Sequence, residues 1–346
     1  MARRSIRFVV LGLLALILAG GYQVWRVDRW LDSPLPMAAP LTYELAPGSN
    51  FIQVVNDLSR QGIVDEPRWL RWYARLSGQA SRIEAGEYLF EPGLTPRQLV
   101  GELVQGRVRQ YSLTLIEGWN FRQLKAALAS HPALRHTLTG LDDATIMARI
   151  GHPGEHPEGR FLPDTYYFPK GTRDTDFLAR AYDAMSRVLA EEWAARAPDL
   201  PLKTPYEALI LASIVEKETG LASERPAIAG VFIRRLRRGM RLQTDPTVIY
   251  GMGKAYRGNI RKRDLLKDTP YNTYRRAGLP PTPIAMPGRQ AIHATLHPDD
   301  SDNLYFVARG DGSHQFSATL EEHNRAVIKY QLKGRHKPFS SYNPGS

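Results

Sequence analysis

The sequence predicts an α+β protein: an N-terminal transmembrane helix, then a small α+β module, then a larger α+β domain. Three observations lead there. The chain opens with an uncharged apolar run behind a cluster of arginines. A pattern of strand, tight turn and capped amphipathic helix then recurs three times, too few and too unevenly spaced for a solenoid. Beyond it, stretches of helical periodicity mix with short strand-like runs. The 346 residues leave room for one large domain or two of ordinary size.

In order along the chain, Arg3, Arg4 and Arg7 precede Phe8–Trp25, which carries no charge and is just long enough to cross a bilayer. Basic residues before the span place residues 1–7 in the cytoplasm, residues 8–25 in the membrane and the rest beyond it. A cleaved signal peptide is the competing reading, because the strongly apolar part, Phe8–Ala19, is short. Ala19-Gly20-Gly21-Tyr22 is a poor cleavage site, so an uncleaved anchor is expected. Residues 26–41, with their SPLPMAAPL run, read as a polar tether.

The module, residues 42–110, holds the first two repeats of the pattern. Tyr43–Leu45 leads through Pro47-Gly48 to Asn50 as helix cap, and Tyr88–Phe90 leads through Pro92-Gly93 to Thr95-Pro96. Leu113–Ile116, Glu117-Gly118 and Asn120 repeat it at the start of the larger domain, residues 111–340. Gly140–Gly159 reads as connection and loop. Arg160–Lys170 supplies aromatics that either wall a groove or fill a core. Asp174–Ala197, Glu207–Thr219 and Glu224–Arg238 have helical periodicity. Met240–Gly253 reads as strand and turn, Leu279–Gly288 as a rigid proline-rich loop, and Leu304–Ser317 as a hairpin before a last helix.

Composition excludes several chemistries. With no cysteine there is no thiol nucleophile, disulfide or cysteine zinc site. The net charge of +11 asks for an acidic partner, but a location beyond the membrane argues against nucleic acid. The basic run Arg234–Arg238 also lacks the interleaved aromatics of a single-strand platform. Gly251-Met252-Gly253-Lys254 lacks phosphate-loop spacing, and no serine sits in a nucleophile elbow. His293, His297, His314 and His323 have neither HExxH spacing nor an evident acidic ligand set, so no metal site is expected.

Glu207–Thr219 (EALILASIVEKET) is the most informative segment, an apolar helix whose last turn carries Glu216 and Glu218. At about 100° per residue, two positions apart face opposite ways, so these acids are not a facing pair. Glu218 stacks on Val215, Ile214 and Leu211, whereas Glu216 stacks on Ser213, Ala212 and Leu209. Apolar neighbours strip water from a carboxylate and raise its pKa, which is what a general acid needs. Two solvated glutamates closing a core helix are the alternative. A carboxyl acid among polar and aromatic neighbours is the equipment of glycosidic bond cleavage. A hydrolase would need a second carboxylate, with Asp245, Asp164 and Glu224 as candidates. A single acid suffices if a hydroxyl of the substrate's own sugar closes an anhydro ring.

ASIVEKET (Ala212–Thr219), RLQTDPTVIYGMG (Arg241–Gly253), YNTY with GLPP (Tyr271–Tyr274, Gly278–Pro281) and the run His297–Asn324 resemble the bacterial endolytic murein transglycosylases, the YceG-like family. Glu117–Trp119 and Phe161–Phe168 extend the resemblance over nearly the whole chain. It implies a single-pass inner-membrane protein with a periplasmic LysM-like subdomain and a catalytic domain that needs no cofactor. The implied substrate is nascent peptidoglycan, cut between N-acetylmuramic acid and N-acetylglucosamine to leave a 1,6-anhydro end that terminates the strand. Peptidoglycan synthases (penicillin-binding proteins) are the implied protein partners. Carried over by motif, the catalytic glutamate is Glu218, with Glu216 structural and paired with an arginine such as Arg225. Gln243, Thr244, Asp245, Tyr250, Tyr271, Asn272 and Tyr274 are the substrate-groove candidates by motif and chemistry, and no metal ligand is assigned. A non-catalytic wall-binding scaffold is the alternative from a different class.

Overall fold

The computed structural model describes residues 2–332, with side chains from residue 10 onward. Residues 333–340, expected in the larger domain, and the side chains of Arg3, Arg4 and Arg7 lie outside the described residues. The chain divides into two compact units. One holds the chain through Tyr111 together with Tyr167–Gly171, and the other holds Ser112–Tyr166 and Thr172 onward.

In the first unit, α1 (Ala2–Leu31) contains one stretch long and apolar enough to cross a membrane, Val10–Leu31, with mean hydropathy 1.6. Its large apolar side chains from Val10 to Trp25 are exposed, the arrangement a bilayer would cover. The helix does not stop at Trp25, and residues 26–41 are not a free tether. Leu31, Leu35 and Met37 are buried in the unit's core, and Arg97 pairs with Asp28 at 2.8 Å and Asp32 at 2.7 Å. The prolines and charges of this stretch concealed three spaced apolar anchors.

Next come β1 (Leu41–Leu45), α2 (Phe51–Arg60), α3 (Pro67–Leu76), β2 (Gly86–Phe90) and α4 (Pro96–Gln105). β1 and β2 pair antiparallel from Leu41↔Phe90 to Leu45↔Gly86, with Tyr43, Tyr88 and Phe90 stacked on the buried face. The caps at Asn50 and Thr95 form full capping boxes with Gln53 and Gln98, each worth about 1 kcal/mol. α3 was not anticipated. It buries only Leu70 and Ala74, too narrow a stripe to stand out among three arginines.

The second unit is mostly helical. β3 (Gln110–Thr114), in which the chain leaves the first unit, is followed by α5 (Phe121–Ser130), β4 (Leu134–Arg135), α6 (Asp143–Arg149), β5 (Thr165–Pro169), which belongs to the first unit from Tyr167 onward, and β6 (Thr172–Arg173). β3 pairs with β5, and β4 pairs parallel with β6. α6 lies where a loop was expected, capped by Asp142 through Thr145 N–H at 2.7 Å. Phe161, Tyr166 and Phe168 are buried, so those aromatics fill cores rather than wall a groove.

α7 (Asp174–Ala194), α8 (Pro205–Glu218), α9 (Arg225–Arg237), α10 (Asp245–Met252), α11 (Lys262–Leu266) and α12 (Arg289–Leu296) follow. The hairpin of β7 (Tyr305–Ala308) and β8 (His314–Ser317) then leads to α13 (Leu320–Tyr330). α8 is the axis of the unit. Every residue from Ala208 to Val215 is buried, with α7, α9, α10 and α12 packed around it, as expected for a helix apolar on all sides. The strand expected within Met240–Gly253 is instead α10. Val248, Ile249 and Tyr250 favour strands, but Pro246 in the first turn and burial against α8 decide for helix.

Candidate active site

Glu218 is the last residue of α8, and the chain leaves the helix at Thr219 in an extended conformation. The residues behind it on its own face, Val215, Ile214 and Leu211, are fully buried. Glu218 itself is half-buried. Loss of hydration pushes its carboxyl from the ordinary 4.5 up to about 7. A hydrogen bond from Thr244 Oγ1 to Glu218 Oε1 opposes that rise, the charge of Asp245 adds to it, and His314 and Arg235 oppose it.

The segment before α10 is built to present Thr244. Gln243 takes a left-handed conformation (φ 51°), which costs a non-glycine residue on the order of 1–3 kcal/mol. Its N–H donates to Thr273 O at 3.2 Å. Thr244 N–H donates to Thr273 Oγ1 at 3.1 Å, and Thr247 Oγ1 donates to Thr244 O at 2.8 Å. These bonds lock a buried threonine whose hydroxyl meets Glu218, while Gln243 and Asp245 on either side stay exposed. Tyr274 OH donates to Asp245 Oδ1 at 2.7 Å.

Of the groove candidates, Thr244 meets Glu218, Gln243 and Asp245 flank it along the chain, and Tyr274 is bonded to Asp245. Asn272 is buried, donates through Nδ2 to Leu265 O at 3.0 Å and Lys267 O at 2.6 Å, and accepts Tyr274 N–H at 3.0 Å. Its place is behind Tyr274, holding the loop. Tyr250 and Tyr271 form a second group with ring centroids 4.9 Å apart. Tyr271 OH lies 2.9 Å from Thr282 Oγ1, and Tyr250 OH donates to Glu158 Oε2 at 2.9 Å.

Glu158 escaped the sequence reading. It is 3 % exposed, accepts Phe121 N–H at 3.0 Å, and burial pushes its carboxyl up to about 7. Gly159 beside it has φ +78°, and a Cβ there would lie 2.5 Å from Pro283 Cβ, so glycine is required. The Glu-Gly pair ahead of the aromatic run was the available signal, lost in what read as an acidic loop.

Glu216 lies on the other face of α8. Its Oε1 is 3.2 Å from Arg225 Nη2, the arginine expected, and its Oε2 accepts Gly288 N–H at 3.0 Å. It ties α8 to α9 and to the start of α12. Arg225 also lines a cleft of roughly 780 Å³ with Glu117, Asp164, Glu192, Arg289 and His293.

Contrary to the sequence reading, three of the histidines do have an acidic neighbour: His314 Nδ1 lies 2.7 Å from Glu224 Oε2, and His293 and His297 share Glu192. Among the described residues, ligand atoms of Glu192, His293 and His297 lie within 4.8 Å of one another. Arg289 Nε already holds Glu192 Oε1 at 2.7 Å, and both His297 nitrogens face backbone carbonyls, at 3.1 and 2.8 Å. Those contacts read as a charge-paired brace between α7 and α12.

A carboxyl pushed up to about 7 by burial at the end of a core helix, with a fixed hydroxyl donor on it, is the arrangement a general acid/base needs. The YceG-like family model matches residues 43–329, and the chain belongs to that family. It is 31% identical over 300 residues to a Bacillus subtilis (strain 168) protein named endolytic murein transglycosylase, covering 82% of each chain. A Streptococcus pneumoniae (strain D39) protein of the same name is 28% identical; the match covers 92% of this chain and 63% of that longer relative. A crystal structure of a YceG-like protein from Listeria monocytogenes superposes with a TM-score of 0.54 at 28% identity, covering 84% of this chain and 99% of that one.

Proposed function

We propose that this protein is a membrane-anchored endolytic lytic transglycosylase of peptidoglycan. Glu218 protonates the glycosidic oxygen between N-acetylmuramic acid and N-acetylglucosamine, and the C1–O bond breaks. The muramic C6 hydroxyl oxygen bonds to the same carbon and loses its proton to the resulting carboxylate. The products are a free N-acetylglucosamine 4-hydroxyl and a 1,6-anhydro end, with no water consumed. The observation that carries this is the Glu218 carboxyl, desolvated enough to hold a proton near neutral pH yet open to the site. The shared name of the curated relatives supports the substrate class.

Under this reading Gln243, Asp245 and Tyr274 contact the sugars, and Thr244 sets the acidity of Glu218. The catalytic unit stands in the periplasm behind α1 and cuts nascent strands beside peptidoglycan synthases. The strand–helix–helix–strand order of β1, α2, α3 and β2 supports a LysM-like, glycan-binding role for the first unit. Digesting purified glycan strands with the protein and weighing the products tests the proposal. Anhydro ends support it, reducing ends mean hydrolysis with Asp245 as second carboxylate, and intact strands mean a binding scaffold.

A further inference from the structure

Four of the chain's six tryptophans belong to two helices that meet where α1 leaves its apolar stretch: Trp25 and Trp30 on α1, Trp69 and Trp72 on α3. Trp30 Nε1 donates to Asp65 Oδ1 at 2.9 Å, just ahead of α3. The Trp30 and Trp69 rings meet edge-on with centroids 5.7 Å apart, and the Arg26 guanidinium lies 5.4 Å over the Trp69 ring. These contacts pin the start of α3 to the end of α1. Trp25 closes the run of exposed apolar side chains on α1, and Trp30 stands about 7.5 Å further along the helix. The polar layer of a bilayer is roughly 5–8 Å deep on each side of the hydrocarbon, so α3 begins at headgroup level.

The face that α3 turns outward suits that level. Its buried side is Leu70 and Ala74. Arg68, Trp72, Arg75 and Leu76 lie at i, i+4, i+7 and i+8, one stripe on the opposite side. All four are exposed, Trp72 by 71% and Leu76 by 76%. Helix geometry puts the two arginines along one edge of this stripe, and Trp72 and Leu76 on the edge toward Trp69 and α1. The side chains of Arg68 and Arg75 have no hydrogen-bond or ion-pair partner among the described residues. Such a surface is wasteful in water. At a lipid interface the indole sits among the headgroups, the leucine reaches the acyl boundary and each guanidinium meets a phosphate.

We propose that this face of α3 docks on the anionic phospholipid surface of the membrane that α1 crosses. Trp72 and Leu76 enter the headgroup–acyl boundary, and Arg68 and Arg75 bind lipid phosphates. The inference rests on the reading of α1 as a membrane anchor. Continuity selects lipid as the occupant: through Trp69 the face adjoins the end of a helix whose exposed apolar surface a bilayer covers. Charge agrees, because α3 carries three arginines and no acid. Docked in this way, α3 gives the first unit a second hold on the membrane and one orientation at its surface.

The chain has no cysteine, so a single introduced one reports its own position. The full chain, carrying a fluorophore at Leu76→Cys or at Leu18→Cys, is placed in vesicles of phosphatidylethanolamine and phosphatidylglycerol. Both positions are exposed, so neither label disturbs the core. Quenching by phospholipids that bear a nitroxide on the acyl chain is then measured. Leu18, on the apolar stretch of α1, should be quenched, and so should Leu76. Arg68→Gln and Arg75→Gln should weaken docking roughly fivefold for each arginine removed, which lowers quenching at Leu76 and leaves Leu18 unchanged. Vesicles without the anionic lipid should do the same. Quenching at Leu18 with none at Leu76 overturns the proposal while leaving the anchor in place. Failure at both positions removes the anchor reading, and the docking with it. Shielding of Leu76 by added glycan strands or by a second copy of the chain, in place of lipid, also overturns it.

Discussion

Replacing Glu218 with glutamine tests the desolvation of that carboxyl without any substrate. In the native protein the group holds its proton until about pH 7, whereas its ordinary value is 4.5. Between those values the native state binds more protons than the unfolded chain, so this group makes the protein less stable as pH rises through that window. Below pH 4.5 both states are protonated and the group contributes nothing. Full burial would make the difference about 3 kcal/mol, and solvent access to a half-buried residue brings it to about 1–2 kcal/mol. Glu218→Gln keeps the shape and the acceptor for Thr244 while removing the charge, so it should stabilise the protein by that amount at pH 8 and by almost nothing at pH 4.5. Glu158 titrates in the same range in both proteins and cancels from the comparison. Denaturant unfolding of wild type and variant at the two pH values is the assay. A gain that is absent at pH 8, or equal at both pH values, would refute the reasoning.

Further outcomes follow from the same contacts. Thr244→Val removes the bond that lowers the pKa of Glu218, so the alkaline limb of the rate profile should move up; Asp245→Asn removes a charge that raises it, so that limb should move down. Identical profiles for both variants would show that neither residue acts on Glu218. Glu216→Ala leaves Arg225 buried beside Gln290 and Glu117 alone, and should cost about 3 kcal/mol in chemical denaturation. A chain that starts at Leu41 lacks Leu31, Leu35 and Met37, each worth about 1.5–3 kcal/mol, and should melt well below one that starts at Arg26. Equal melting temperatures would mean that this stretch is not part of the core.

The sequence carried the parts of the fold whose signals are local. Asn50, Thr95 and Asn120 announce their helices because a capping box is written within four residues. The Val215, Ile214 and Leu211 stripe marked Glu218 over Glu216 because helix geometry alone decides which side chains share a face. Non-local facts were out of reach. Nothing in the sequence places Thr244 on Glu218 or joins Tyr250 to Glu158, since those bonds span 26 and 92 residues. α10 was hidden by β-branched residues whose preference tertiary burial overrode. His314 looked like an isolated histidine because its carboxylate partner lies 90 residues away.

Glycan turnover by Glu218→Gln bears most directly on the account. Strands that wild-type protein converts to anhydro-ended fragments should remain uncut by the variant over the same hours, while the variant still binds them. Release of those fragments at the wild-type rate would take the acid role away from Glu218.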